Sequence, residues 1–287
     1  MKAVTIQHFF KRFPDDEACL QHLFKTRYSK DHQCPKCGNK GRWYRIEAEK
    51  AFSCTCGHHI HPTVGTIFEG SSTSLQLWFY AMYLFTTTRS GVSAKELERQ
   101  LGVTYKTAWR MGHKIREYMA TVDGDDKLDG LVEIDETYVG GVKKGKRGRG
   151  ADGKTIVFGM MEKNGDVMTK IVDNVKAKTL QPIIEENVEK GSEIQTDELR
   201  SYKGLHNKGY SHKTVNHGSG EYVAKDGTTV NSMESFWARL KLSIKGTHIH
   251  VSKKHLAKYA SEFEYRFNSR FRPEWMLEEL LTGFEKK

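Results

Sequence analysis

Two close cysteine pairs, CPKC at residues 34–37 and CTC at 54–56, constrain this chain more than any other feature. The residues between them, GNKGRWYRIEAEKAFS, are rich in strand formers, so the pattern predicts a small ribbon. Such a ribbon sets Cys34, Cys37, Cys54 and Cys56 tetrahedrally round one structural zinc ion. The second pair is separated by one residue instead of two, which tightens its knuckle. His58, His59 and His61 lie close enough in sequence to substitute for a cysteine, so a mixed Cys/His set stays open. Thiols grouped in this way fit a metal site in a reducing compartment better than a disulfide framework. The fifth cysteine, Cys19, falls on the apolar stripe of an amphipathic helix expected over PDDEACLQHLFKTR, residues 14–27, and reads as core.

After the ribbon the periodicity turns helical. SLQLWFYAMYLFTTT is apolar all round and is expected to be buried. SAKELERQLGVTYKTAWRMGHKIREYM then has the layout of a helix-turn-helix. Ser93 caps a first helix ending near Gln100, Gly102 permits the turn, and Thr104 caps a second helix. That second helix is expected to expose Tyr105, Lys106, Arg110, Lys114 and Arg116, its early residues entering a major groove while Lys and Arg meet phosphates.

A polar stretch, TVDGDDKLDG, reads as a linker, and beyond it come strand-like runs in LVEIDETYV, KTIVFGMMEK and GDVMTKIVD. The Asn164-Gly165 pair is a hairpin signal between the second and third of these. A helix over AKTLQPIIEENVEK and a strand in SEIQTDE follow, giving a β-β-β-α-β order and a mixed sheet covered by helices. Between the first two strands the segment GGVKKGKRGRGADGK carries Lys143, Lys144, Lys146, Arg147 and Arg149, a cationic arm suited to the phosphate backbone. The formal net charge of +10, from 46 Lys and Arg against 36 Asp and Glu, favours a polyanionic partner. No signal-peptide core or membrane-length apolar run is present, so a cytoplasmic, nucleoid-associated chain is expected.

LVEIDETYVGG raises a chemical question, because a buried strand does not ordinarily carry Glu133, Asp135 and Glu136 together. Alternation sets Leu131, Glu133, Asp135 and Thr137 on one side. Asp197 stands where SEIQTDE leaves its strand, and Glu234 sits in VNSMESFWARLKLSIKG, whose apolar residues recur at helical spacing. Two carboxylates from adjacent strands and one from a covering helix can hold two Mg²⁺ ions about 3.5–4 Å apart for phosphodiester chemistry. Lys241, two helical turns after Glu234, shares its face and can meet DNA.

EIDETYVGG, TDELRSYKGL and VNSMESFWARLKLSIKGTHIHVSKKHLAKYASEFEYRFNSR, preceded by the cysteine pairs and VGTIFEGSSTSLQLW, resemble the insertion-sequence transposases of the fifteen-ninety-five type. These join a zinc ribbon to a DDE catalytic domain, and the likeness runs from about Phe13 to Arg270. It implies a ribonuclease-H-like α/β domain in a multi-domain chain, with Asp135 and Asp197 as first and second acids, Mg²⁺ or Mn²⁺ as cofactor, and binding of terminal repeats and target DNA by a homo-oligomer. The third ligand is Asn231 or Glu234. Glu234 is favoured because a carboxylate supplies charge and because Lys241 follows at the seven-residue spacing common in such enzymes. The chain departs from the pattern at the C-x-C pair and at Thr229, where histidine is common. The expected segments are a helix and ribbon over 1–72, a helix-turn-helix over 73–120, a linker over 121–130 and the catalytic domain over 131–275. A zinc-ribbon regulator without catalysis leaves the acids unexplained, and a ribonuclease-H-like nuclease does not need the fused recognition segments.

Overall fold

The computed structural model describes residues 4–28, 32–124, 126–140, 153–216, 223–224 and 226–284. The cationic arm residues Lys143, Lys144, Lys146, Arg147 and Arg149 lie outside the described residues. Two compact units divide the chain: Met1–Tyr118 with Phe271–Lys287, and Met119–Arg270.

In the first unit, α1 (Ile6–Arg12) and α2 (Asp16–Arg27) precede a three-stranded antiparallel ribbon of β1 (Trp43–Ile46), β2 (Ala51–Cys54) and β3 (His59–Ile60). Asp15 starts α2 by accepting from the Ala18 amide at 2.8 Å, and Cys19, Leu20 and Leu23 form its buried stripe. Next come α3 (Leu75–Thr87), α4 (Ala94–Leu101) and α5 (Tyr105–Val122), the last running on into the second unit. Helix α3 buries Leu75, Trp78, Phe79, Ala81, Met82, Tyr83 and Phe85, as expected of a run apolar on every side. The α4–α5 turn follows its local chemistry. Ser93 accepts from the Glu96 amide, Gly102 closes α4 at φ 64, and Thr104 accepts from the Thr107 amide. A left-handed cap favours glycine because it carries no Cβ.

One expectation for α5 is corrected. Arg116 is not presented to solvent: it is 2% exposed, donates to the Val92 carbonyl at 2.8 Å and lies over the Phe85 ring. The guanidinium fork satisfies a buried carbonyl while its plane stacks on an aromatic face, a combination a lysine cannot reproduce. The unit is completed from the far end of the chain by α9 (Met276–Thr282), which packs on α2 and α3. Tyr118 Oη donates to the Leu280 carbonyl at 3.0 Å, Arg27 donates to the Phe284 carbonyl at 3.1 Å, and Arg12 pairs with Glu278.

The second unit is built on a five-stranded sheet of β4 (Leu131–Val139), β5 (Thr155–Glu162), β6 (Val167–Val172), β7 (Glu193–Thr196) and β8 (Ser211–Thr214). The strand order is β6-β5-β4-β7-β8, with β4, β5 and β6 antiparallel in succession and β4, β7 and β8 parallel. Asn164 takes φ 63 in the β5–β6 hairpin, where its short polar side chain tolerates the left-handed region. Alternation along the strands makes two cores. On one face Val132, Ile134, Phe158 and Met160 meet Leu180 and Ile184 of α6 (Ala177–Asn187). On the other, Val139, Val157, Met161 and Val167 meet Met233, Phe236, Trp237 and Leu240 of α7 (Asn231–Ser243) and Leu256 of α8 (Lys253–Asn268). Asn268 and Glu264 of α8 accept from the Val167 and Thr169 amides, which caps the donors of edge strand β6.

Candidate active site

The four ribbon thiols converge. Sγ of Cys34, Cys37, Cys54 and Cys56 all lie within 4.8 Å of one another, and among the described residues the group includes no histidine. Each pair sits on a knuckle of the same design. Cys34 donates its amide to Asn39 and accepts from Gly38, while Cys54 donates to His58 and accepts from Gly57. Gly38 and Gly57 have φ 72 and 79, so glycine after each pair makes the tight return possible, including the shorter C-x-C one. The Cys56 amide, aided by the neighbouring thiols, draws the Cys54 thiol down to about 6, the direction a thiolate ligand requires.

In the second unit Asp135 lies on the α7 side of β4. The parallel register pairs Ile134 with Thr196, so Asp135 and Asp197 follow at matching points where β4 continues and β7 ends. Open sheets bind ligands beyond the carboxyl ends of their parallel strands. Asp135 Oδ2 accepts from Trp237 Nε1 at 3.1 Å. Burial, then the charges of Glu136 and Asp197, push its carboxyl up to about 7, against hydrogen bonds from the Glu136 amide and Trp237. Asp197 Oδ1 accepts from the Leu199 amide at 2.9 Å, which fixes the turn as the chain leaves β7. Asn231 and Glu234 stand exposed on the first turn of α7. Lys241, on the same helix, has its ammonium pKa lowered by desolvation while the charge of Asp135 opposes that shift. On α5, Lys106 and Arg110 are exposed, whereas Lys114 is half-buried and donates to the Ile67 carbonyl at 3.0 Å.

Residues 127–268 match the ISXO2-like transposase domain, and residues 14–59 match the transposase zinc-ribbon domain. The chain belongs to the ISXO2-like transposases. It is a DDE transposase of the insertion-sequence kind. A protein in transposable element ISH50 of Halobacterium salinarum is 29% identical over 279 residues, covering 89% of this chain and 92% of the relative. A transposase-like protein of Haemophilus influenzae is 35% identical over 103 residues, covering 36% of this chain and 81% of that protein. The crystal structures of the Mos1 strand transfer complex and a pre-cleavage Mos1 transpososome are 12% and 13% identical. Each covers 73% of this chain, against 78% and 79% of its own, at TM-scores of 0.29 and 0.28, too loose a superposition to transfer any residue.

Three residues beside Asp135 have roles that sequence reasoning did not assign. Glu133, fully buried, accepts from the Ser232 and Met233 amides at 2.8 and 3.2 Å and from Ser232 Oγ at 2.8 Å, so a strand carboxylate caps α7. Negative charge at a helix N-terminus is favourable, and here it fixes the helix that carries Asn231, Glu234 and Lys241. Trp237 reads in sequence only as a core position. Gly159, the β5 partner of Asp135, is the third: a Cβ there would lie 2.5 Å from Met233 Cε and 2.6 Å from the Trp237 ring. Glycine is what lets α7 approach the sheet beside Asp135. Glu136, by contrast, points to the opposite face, where Tyr202 Oη donates to it at 2.9 Å.

Proposed function

We propose that residues 131–275 form a ribonuclease-H-like DDE centre that cuts the ends of an insertion sequence and joins them to target DNA. The sheet order, with three parallel strands flanked by an antiparallel pair, supports that fold. The observation that carries the reading is the juxtaposition of Asp135 and Asp197 at neighbouring strand positions, where the Asp197 charge adds to the burial that pushes the Asp135 carboxyl up. A site of crowded, partly desolvated carboxylates fits divalent cations, which would relieve that repulsion. Asp135, Asp197 and Glu234 would hold two Mg²⁺ or Mn²⁺ ions, with Asn231 the alternative third donor. Bound metal supplies Lewis acidity that activates water or a 3′ hydroxyl and stabilises the leaving oxygen.

The protein's own residues do the rest. Trp237 orients the Asp135 carboxylate, Glu133 holds the first turn of α7 in place, and Lys241 offers its ammonium to the DNA backbone beside the acids. Residues 1–72 and 73–120 serve recognition, with linker 121–130 leading to the catalytic segment. Lys106 and Arg110 at the start of α5 read a major groove, with Lys114 behind them. The arm charges Lys143, Lys144, Lys146, Arg147 and Arg149 bind phosphates without regard to sequence. The partner is double-stranded DNA, engaged by more than one copy of the chain within the bacterial cytoplasm. Four cysteine thiols on two matched knuckles fit zinc as the ribbon's structural metal.

The test is cleavage and strand transfer on duplexes taken from the DNA flanking the coding region, with Mg²⁺ present. Asp135→Asn and Asp197→Asn keep the shape and remove charge, so both steps should collapse while gel-shift binding survives. Glu234→Gln should be as damaging and Asn231→Ala milder; the reverse result makes Asn231 the third ligand. Cleavage without strand transfer in the unmodified chain would mean a nuclease instead.

A further inference from the structure

Beyond the end of α7 the chain makes a π-helical turn, Ile244–His248, and then sets Ile249 in a conformation of φ 63. A β-branched residue rarely occupies that region, because its Cβ crowds its own backbone. Ile249 is also 84% exposed, so no burial of its side chain offsets the strain. Strain that packing does not repay is concentrated in proteins at clamps and contact points.

Ile249 stands on the lip of a cavity of about 570 Å³ lined by Tyr138, Val139, Ile244 and Val251 on its apolar walls and by Lys241, Lys245 and His250 as its polar groups. Among the described residues no carboxylate lines it. Tyr138 and Val139 lie on β4 just past Asp135, and the Asp135 charge is felt by Lys241, so the cavity adjoins the acid centre. The volume falls within the range of about 300–1,000 Å³ that holds a small organic group. An apolar, aromatic-edged hole with cations at its mouth suits a flat heterocycle attached to a phosphate. Duplex ends and unpaired steps yield such a group when an apolar side chain enters the stack.

We propose that this cavity receives one base displaced from the DNA end, and that Ile249 fills the gap left in the stack. Lys241, Lys245 and His250 hold the phosphates on either side of the displaced nucleotide. The separation brings the scissile phosphate clear of its neighbours beside Asp135. This proposal rests on the end-cutting function above and specifies how that same centre seats its DNA.

The experiment uses the full chain carrying Asp135→Asn and a duplex from the flanking DNA, with 2-aminopurine placed singly at each of the terminal and flanking positions. Fluorescence should rise severalfold at one position on binding, as stacking is lost. Ile249→Gly, which also relieves the backbone strain, should abolish most of that rise while gel-shift binding is kept. Val251→Ala, which enlarges the cavity without removing a cation, should leave the rise in place. Binding with no brightening at any position, or brightening by Ile249→Gly equal to that of its parent, overturns the proposal and leaves the end-cutting function standing. Absence of binding by the parent chain removes that function, and this proposal with it.

Discussion

Trp237 is tied to Asp135 by one hydrogen bond of 3.1 Å, and the ring that makes it also forms part of the α7 core. Trp237→Phe keeps most of the packing and removes the donor. A hydrogen bond to a charged group contributes about 1.5–3 kcal/mol, so cleavage is expected to fall roughly tenfold or more. The Mg²⁺ concentration for half-maximal cleavage should rise with it, a shift that loss of packing alone would not produce. Gly159→Ala tests the same contact from the sheet. Its methyl group has no room against Met233 and Trp237, and overpacking of this kind costs about 1–3 kcal/mol, readable as a lower Tm. Asp135 and Asp197 could be singled out in the sequence because each acid abuts a strongly apolar run. Gly159 could not, and Glu133 stood out only as an acid on the strand, without its role at the start of α7. The meaning of each comes from α7, and the Glu133 partner Ser232 is 99 residues away in the chain.

At the scale of elements, what could be read in advance was local. Ser93, Gly102 and Thr104 bracket α4 and α5 with signals contained in a few residues, and the alternation of β4 sorted its acids onto two faces. Strand β8, with an exposed and half-buried pattern, carries no such signal. The ribbon knuckles were also local, and replacing Cys54 and Cys56 together with Ser should abolish chain-bound zinc and loosen β1–β3, measured by metal analysis and hydrogen exchange. Unchanged zinc content would exclude these four ligands. The α8–β6 junction yields a pH prediction. Desolvation pushes the Glu264 carboxyl from 4.5 up to about 8, with Asp123 adding to the rise and Thr169 opposing it. Between those values the folded chain keeps a proton that the unfolded chain has released, so this group's contribution to stability is lost as pH rises through the window. Glu264→Gln should therefore gain in Tm relative to the parent on going from pH 5 to pH 8. A Tm difference independent of pH would refute the assignment.

For the whole molecule, the governing fact is that the first unit is discontinuous. Helix α9 buries Met276, Leu277, Leu280 and Leu281 in it, and no chemical motif marks that segment in the sequence, which is why its allegiance was not legible. Burying each such side chain is worth about 1.5–3 kcal/mol. Four together rival the total stability of a domain, about 5–15 kcal/mol. Ending the chain after Arg270 should thus unfold the ribbon-bearing unit and abolish sequence-specific DNA binding, while the β4–β8 sheet keeps its slow hydrogen exchange. Loss of both units together would show that they do not fold separately.

During synthesis, the residues of the first unit leave the ribosome well before the α9 segment that seals their core. The ribbon-bearing unit must wait, its apolar face uncovered, until the sheet-bearing unit has been translated in full. A message cut short anywhere in the acid-bearing region therefore yields a ribbon-bearing fragment that lacks the helix closing its core. The order of the chain makes a closed ribbon-bearing unit conditional on a fully translated sheet-bearing one.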